Sequence, residues 1–262
     1  MARAICKASL LLHGADGIRI EVGDVLHSPK LTGRDGLIKY DRVISAPPFN
    51  RSNWGAEDAA DDGFGRFPIV PPKHIADYAY ILHCLSILEE GGRAVVLVGI
   101  GVLFRGGAEE NIRRMLLERD HFEAVVGLPP GLLYGTNISS ALIVLRNGKS
   151  PRSGKVLFLE VRRAHEKRAR DEALSAEEID AVVRCVERFE DIPDMARVVD
   201  VEEVARKQWG LSPAAYLPHP VHHTDINVAA QLEVIRRTEA ERDEAASRAD
   251  EILRDLAAQL DI

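Results

Sequence analysis

Tyr78, Ile81, Leu82, Leu85 and Leu88 recur at helical spacing and predict an amphipathic helix over residues 77–88, with Gly91-Gly92 as its stop. On either side, short runs rich in Val, Ile and Leu predict strands at 18–22, 42–45, 93–98, 124–128, 140–145 and 156–161. A further helix, with Arg and Glu on its outer face, is predicted over 108–118. Strand and helix therefore alternate to about residue 161, the pattern of an α/β sheet with helices on both faces. The strand at 42–45 runs into Pro47-Pro48, which neither a strand nor a helix continues, so a turn opens there.

Beyond Val161 the pattern changes. Arg162, Arg163, Lys167, Arg168 and Arg170 form a basic run, but Glu166, Asp171 and Glu172 are interleaved with it, which reads as a solvated helix face. A polar, weakly amphipathic helix is predicted over 174–189. Near the end, Leu232, Ile235, Ala246, Ala249, Leu253, Leu256 and Leu260 fall on one seam of three- and four-residue steps, interrupted at Glu239 and Arg242. These shifts divide the chain into a core at 1–161, a helical and linker extension at 162–218, and a terminal helix at 219–262.

Composition narrows the function. With 262 residues, 46% of them hydrophobic, the chain can bury a sizeable core. A net charge of −7 provides no overall basic field to hold a DNA backbone unaided. Cys6, Cys84 and Cys185 form no CxxC pair, which argues against disulfides and zinc and fits a reducing compartment. His219, His222 and His223 sit in a Pro-rich linker, and no metal site is expected. No run approaches the roughly 20 apolar residues of a membrane span, so the expectation is a cytoplasmic protein without membrane contact. Gly99-Ile100-Gly101 is followed next by Gly106, a spacing that fails the dinucleotide fingerprint and counts against an unrelated nucleotide-binding α/β enzyme.

The most informative residues are Ala46-Pro47-Pro48-Phe49, directly after a strand. By itself the tetrapeptide is equally a strand ending in a Pro-Pro turn packed by Phe49. Around it, however, stand Leu10 to Gly14, Gly23-Asp24-Val25-Leu26, Trp54-Gly55, Asp77-Tyr78-Ala79-Tyr80, Gly91-Gly92-Arg93, Leu128-Pro129-Pro130-Gly131-Leu132-Leu133-Tyr134 and Trp209-Gly210-Leu211-Ser212-Pro213. In this order the segments resemble the N6-adenine DNA methyltransferase (modification) subunits of type I restriction–modification systems, and the resemblance covers nearly the whole chain.

The resemblance implies an incomplete Rossmann-like sheet of the S-adenosylmethionine-dependent methyltransferase kind, with flanking helices and a C-terminal helical tail. It implies that Ala46, Pro47, Pro48 and Phe49 form the catalytic loop, that Asp24 and Val25 contact S-adenosylmethionine, and that Tyr134 lines the pocket for an extruded base. In the family the loop reads Asn-Pro-Pro-Phe or Asp-Pro-Pro-Tyr. Its first side chain and the next carbonyl accept the hydrogens of the adenine amine, whose lone pair must be localised before it attacks a methyl group. Ala46 has no side-chain acceptor. The family's helical N-terminal domain and glycine-rich cofactor loop also have no counterpart before Leu10, which implies an N-terminally truncated relative lacking the strands beside 18–22 and 42–45. Implied partners are DNA, a DNA-specificity subunit bound through the terminal helix, and a companion chain supplying the missing strands. The alternative is a non-catalytic remnant or scaffold that binds the specificity subunit.

Overall fold

The computed structural model describes residues 2–133, 138–148, 151–161, 173–217 and 228–259. The chain opens with helix α1 (Ala2–Leu12) and a two-residue hairpin, β1 (Thr32–Gly33) with β2 (Gly36–Leu37). The main sheet contains β3 (Tyr40–Ser45), β4 (Leu88–Gly99), β5 (Phe122–Gly127), β6 (Ser140–Arg146), β7 (Lys155–Glu160) and β8 (Ala196–Asp200) in the order β3-β4-β6-β5-β7-β8. Helices α2 (Asp77–Ser86), α3 (Ala108–Glu118), α4 (Ala176–Arg188) and α5 (Val201–Arg206) accompany it. The pairs β3/β4 and β5/β7 are parallel, while β6 runs antiparallel to both of its neighbours.

Alternation along the strands divides the core in two. Val125, Ile143, Leu145, Val156 and Phe158 pack with α2 and α3, while Ala124, Val126, Val144, Leu157 and Leu159 pack with Cys185 and Val182 of α4. With both of its faces covered, β5 is buried throughout, and its one charged residue, Glu123, is paired with Arg93 and Arg152. At the other end, β3 is the edge of the sheet, and its Ile44 is 88% exposed.

Three features depart from the sequence reading. Residues 18–22 form no strand, and among the described residues no strand lies beside them to take their backbone hydrogen bonds. Helix α2 ends at Ser86, and Gly91-Gly92 lie inside β4, where the pairing register of β3 shifts between Tyr40 and Arg42. Gly91 has φ +75°, and a Cβ on Gly92 would stand 2.9 Å from the Glu89 carbonyl and 3.1 Å from that of Tyr40, so these glycines serve an irregularity between two strands. Finally, the sheet continues past Val161 with β8, which pairs antiparallel with β7. Five residues behind Pro193-Asp194 carry too little alternation to announce a strand.

The chain separates into two compact units, 1–219 and 220–262. The second contains α6 (Val228–Gln259), a helix of 32 residues, about 48 Å long at about 1.5 Å per residue. Leu232 and Ile235 on it are 49% and 52% exposed. Among the described residues no helix is long and apolar enough to cross a membrane, and no His, Cys, Asp and Glu cluster could hold a metal ion.

Candidate functional site

Ligands of open α/β sheets gather beyond the carboxyl ends of parallel strands, and β3 and β4 end together there. Ala46 and Pro48 are exposed, while Pro47 and Phe49 are half-buried. A Cβ built on Gly99, the last residue of β4, would meet the Phe49 ring at 3.9 Å. The ring therefore rests against backbone that carries no side chain. The chain then turns tightly through Asn50 (φ 52°), Asn53 (φ 52°) and Gly55 (φ 88°), residue types that tolerate the left-handed region. Trp54 closes the turn: it is buried, donates from Nε1 to the Pro72 carbonyl at 3.0 Å, and meets Phe67 edge-on at 5.5 Å.

A buried ionic group fixes the loop's far end. The Asn50 amide donates to Asp77 Oδ1 at 3.0 Å, at the first turn of α2. Arg105 donates to Asp77 Oδ2 at 2.5 Å and to Glu109 Oε1 at 3.0 Å. Both carboxylates are almost fully buried, at 5% and 2% side-chain exposure, so they require this partner. Hydrogen bonds to Glu109 and then Asp77 outweigh desolvation and raise the Arg105 pKa, holding it charged. A Cβ on Gly101 would fall 2.6 Å from Arg105 Nη1, so Gly101 makes room for the guanidinium, whereas the Phe49 ring lies at ordinary contact distance from Gly99.

The second loop is Gly23-Asp24-Val25-Leu26. Asp24 Oδ1 accepts the Leu26 and His27 amides at 3.0 and 3.4 Å, and Oδ2 accepts Arg51 Nη2 at 2.6 Å. Partial burial pulls the Asp24 pKa upward, but these bonds and the charge on Arg51 outweigh it and leave the carboxyl below its ordinary range. Behind the loop, buried Arg66 donates to the Val25 and Leu26 carbonyls, each at 2.7 Å, and pairs with Asp62. Its Nη1 lies 3.3 Å from His83 Nδ1. Burial first, and then the Arg66 charge, push His83 down to about 4. The Val25 side chain is 45% exposed.

The structure thus brings Asp24 and the Ala46–Phe49 loop together through Arg51, whereas Tyr134 and the basic run at 162–170 lie outside the described residues. Arg51, Arg66 and Arg105 are the organising residues that the sequence did not announce. Arg51 stands 27 positions from Asp24, and Arg66 stands 40 from Leu26, distances over which no periodicity operates.

The chain has clear relatives. The family model for N-6 DNA methylases matches residues 1–224. The methylase subunit of the type I restriction enzyme MjaVII from Methanocaldococcus jannaschii is 30% identical over 254 residues, 92% of this chain and 43% of its own length. That of MpnII from Mycoplasma pneumoniae is 21% identical over 270 residues, 98% of this chain and 49% of its own. The crystal structure of a type I restriction–modification methyltransferase subunit from Streptococcus thermophilus superposes with a TM-score of 0.72 at 27% identity, covering 79% of this chain and 44% of that one. The chain therefore spans less than half the length of each of these three relatives.

Proposed function

Because the chain belongs to the N-6 DNA methylase family, we propose that it is the sheet-and-loop portion of a DNA adenine-N6 modification subunit, acting within an assembly and weak in catalysis as 262 residues alone. The observation that carries this reading is the Pro-Pro-Phe loop at the shared end of β3 and β4, held at Asn50 by Asp77 and linked by Arg51 to the acidic loop at Asp24.

In this reading the Pro47 carbonyl accepts one hydrogen of the adenine amine, and the half-buried Phe49 ring offers its free side to the base, a contact worth about 1–3 kcal/mol. Ala46 supplies no second acceptor, and a missing preorganised polar group costs about 10²–10³ in rate. The same residue favours a second reading, a non-catalytic scaffold for a DNA-specificity subunit.

S-adenosylmethionine fits one end of the site. Asp24 Oδ2 retains an acceptor position and Val25 presents an open apolar surface, suited to a nucleoside. Gly99-Ile100-Gly101 lies at the end of β4, but Phe49 and Arg105 stand against these glycines, so the stretch is not a free cradle for an amino-acid moiety. When bound, this cofactor supplies an electrophilic methyl group.

Partner binding follows the exposed apolar surface. Ile5, Leu11 and Leu12 of α1 are 63%, 55% and 88% exposed, as are Val22 at 68% and Ile44 on the β3 edge at 88%. An edge strand of this kind invites pairing, and a companion chain that adds a strand to β3 would cover it. Leu232 and Ile235 of α6 are the residues for a specificity subunit, through which the complex holds DNA despite a net charge of −7. The test is transfer of labelled methyl from S-adenosylmethionine to duplex DNA. A slow signal that requires adenine supports the catalytic reading. No signal from the chain assembled with its partners supports the scaffold.

A further inference from the structure

One side chain joins the two loops. Arg51 donates from Nη2 to Asp24 Oδ2 at 2.6 Å and from Nη1 to the Tyr80 hydroxyl at 2.8 Å. Its own carbonyl accepts the Ala76 amide at 2.9 Å, and the preceding residue is tied to Asp77. Tyr80 belongs to buried α2 and is 7% exposed, so it forms a fixed post for the guanidinium. Asp24 and Arg51 are 33% and 37% exposed at their side chains, and such a pair adds little to stability. It does supply orientation: a planar fork held at one end by Tyr80 fixes the carboxylate at the other. Among the described residues Oδ1 already has two donors and Oδ2 only one, which leaves Oδ2 an open acceptor position on a side chain that is one-third exposed.

We propose that Arg51 is a positioning residue that aims Asp24 Oδ2 at a ligand hydroxyl or amine and couples the acidic loop to the Pro-Pro-Phe loop, so that filling one orders the other. The proposal rests on the reading of Asp24 as a cofactor contact. Hydrogen–deuterium exchange on the full chain tests the coupling without catalysis. In Arg51→Gln, amides at 24–28 and at Asn50 exchange about five- to tenfold faster than in the wild type, while β6 stays unchanged. Arg51→Lys restores part of the protection. Tyr80→Phe shifts both loops the same way by less, and it carries the test if Arg51→Gln does not fold. Exchange at 24–28 that is identical in the variants and the wild type overturns the coupling. With S-adenosylmethionine as the probe, ligand slows exchange at 46–51 in the wild type and not in Arg51→Gln; equal slowing in both also overturns it. A folded wild type that does not bind the probe refutes the cofactor reading of Asp24, and the ligand-free exchange comparison still decides whether Arg51 joins the loops.

Discussion

Ala46 and His83 are single residues whose consequences can be measured apart. Ala46 is exposed at the mouth of the site, so Ala46→Asn restores an acceptor without repacking anything. Methyl transfer to adenine should then rise by about 10²–10³ over the wild type in the same assembly. No rise would mean that this loop does not set the rate. His83 gives a signature in pH. Its folded pKa, about 4, lies below the ordinary value of 6.5, so between these values the unfolded chain binds a proton that the folded chain refuses. Its contribution is therefore complete above pH 6.5 and is lost as pH falls toward 4, by up to about 3 kcal/mol. Urea unfolding at pH 7 and pH 5 should show the loss, and His83→Gln should flatten that part of the profile.

At the scale of elements, the seam between β3 and β4 is the sensitive place. Gly92→Ala puts a Cβ within 2.9 Å of one backbone carbonyl and 3.1 Å of another, and such overpacking costs about 1–3 kcal/mol. The urea midpoint should fall accordingly, whereas Gly99→Ala, with its nearest contact at 3.9 Å, should fold as the wild type does. This seam also shows what sequence can reveal. Periodicity announces α2 and α3 because each has an apolar face long enough to repeat, and Ala124 to Val126 of β5 and Val156 to Leu159 of β7 announce themselves as apolar runs. The same reasoning misjudged Gly91-Gly92, because a glycine pair after an apolar stretch has one appearance whether it stops a helix or relieves two strands. It also predicted a strand at 18–22 from alternation alone, and alternation says nothing about a neighbour. The tetrapeptide and Asp24 were legible as short motifs. Arg51, Arg66 and Arg105 were not, since an arginine looks solvated in sequence until the fold brings buried carboxylates and carbonyls to it.

At the scale of the whole molecule, the proposed partner contacts rest on the exposed β3 edge and on the exposed apolar residues of α1. The sheet keeps β5 and β6 inside, the loops between β3 and β4 assemble around α2, and β3 is left bare beside them. In the proposed reading the nucleoside end of S-adenosylmethionine lies at Asp24, and weak binding and slow methyl transfer are expected of the chain alone. The most direct measurement is calorimetric titration of the folded chain with S-adenosylmethionine, comparing the wild type with Asp24→Ala. The account expects saturable binding that weakens by about tenfold or more in the variant, the worth of one hydrogen bond to a charged group. Equal affinity in both proteins, or no binding by a wild type shown by circular dichroism to be folded, would contradict it.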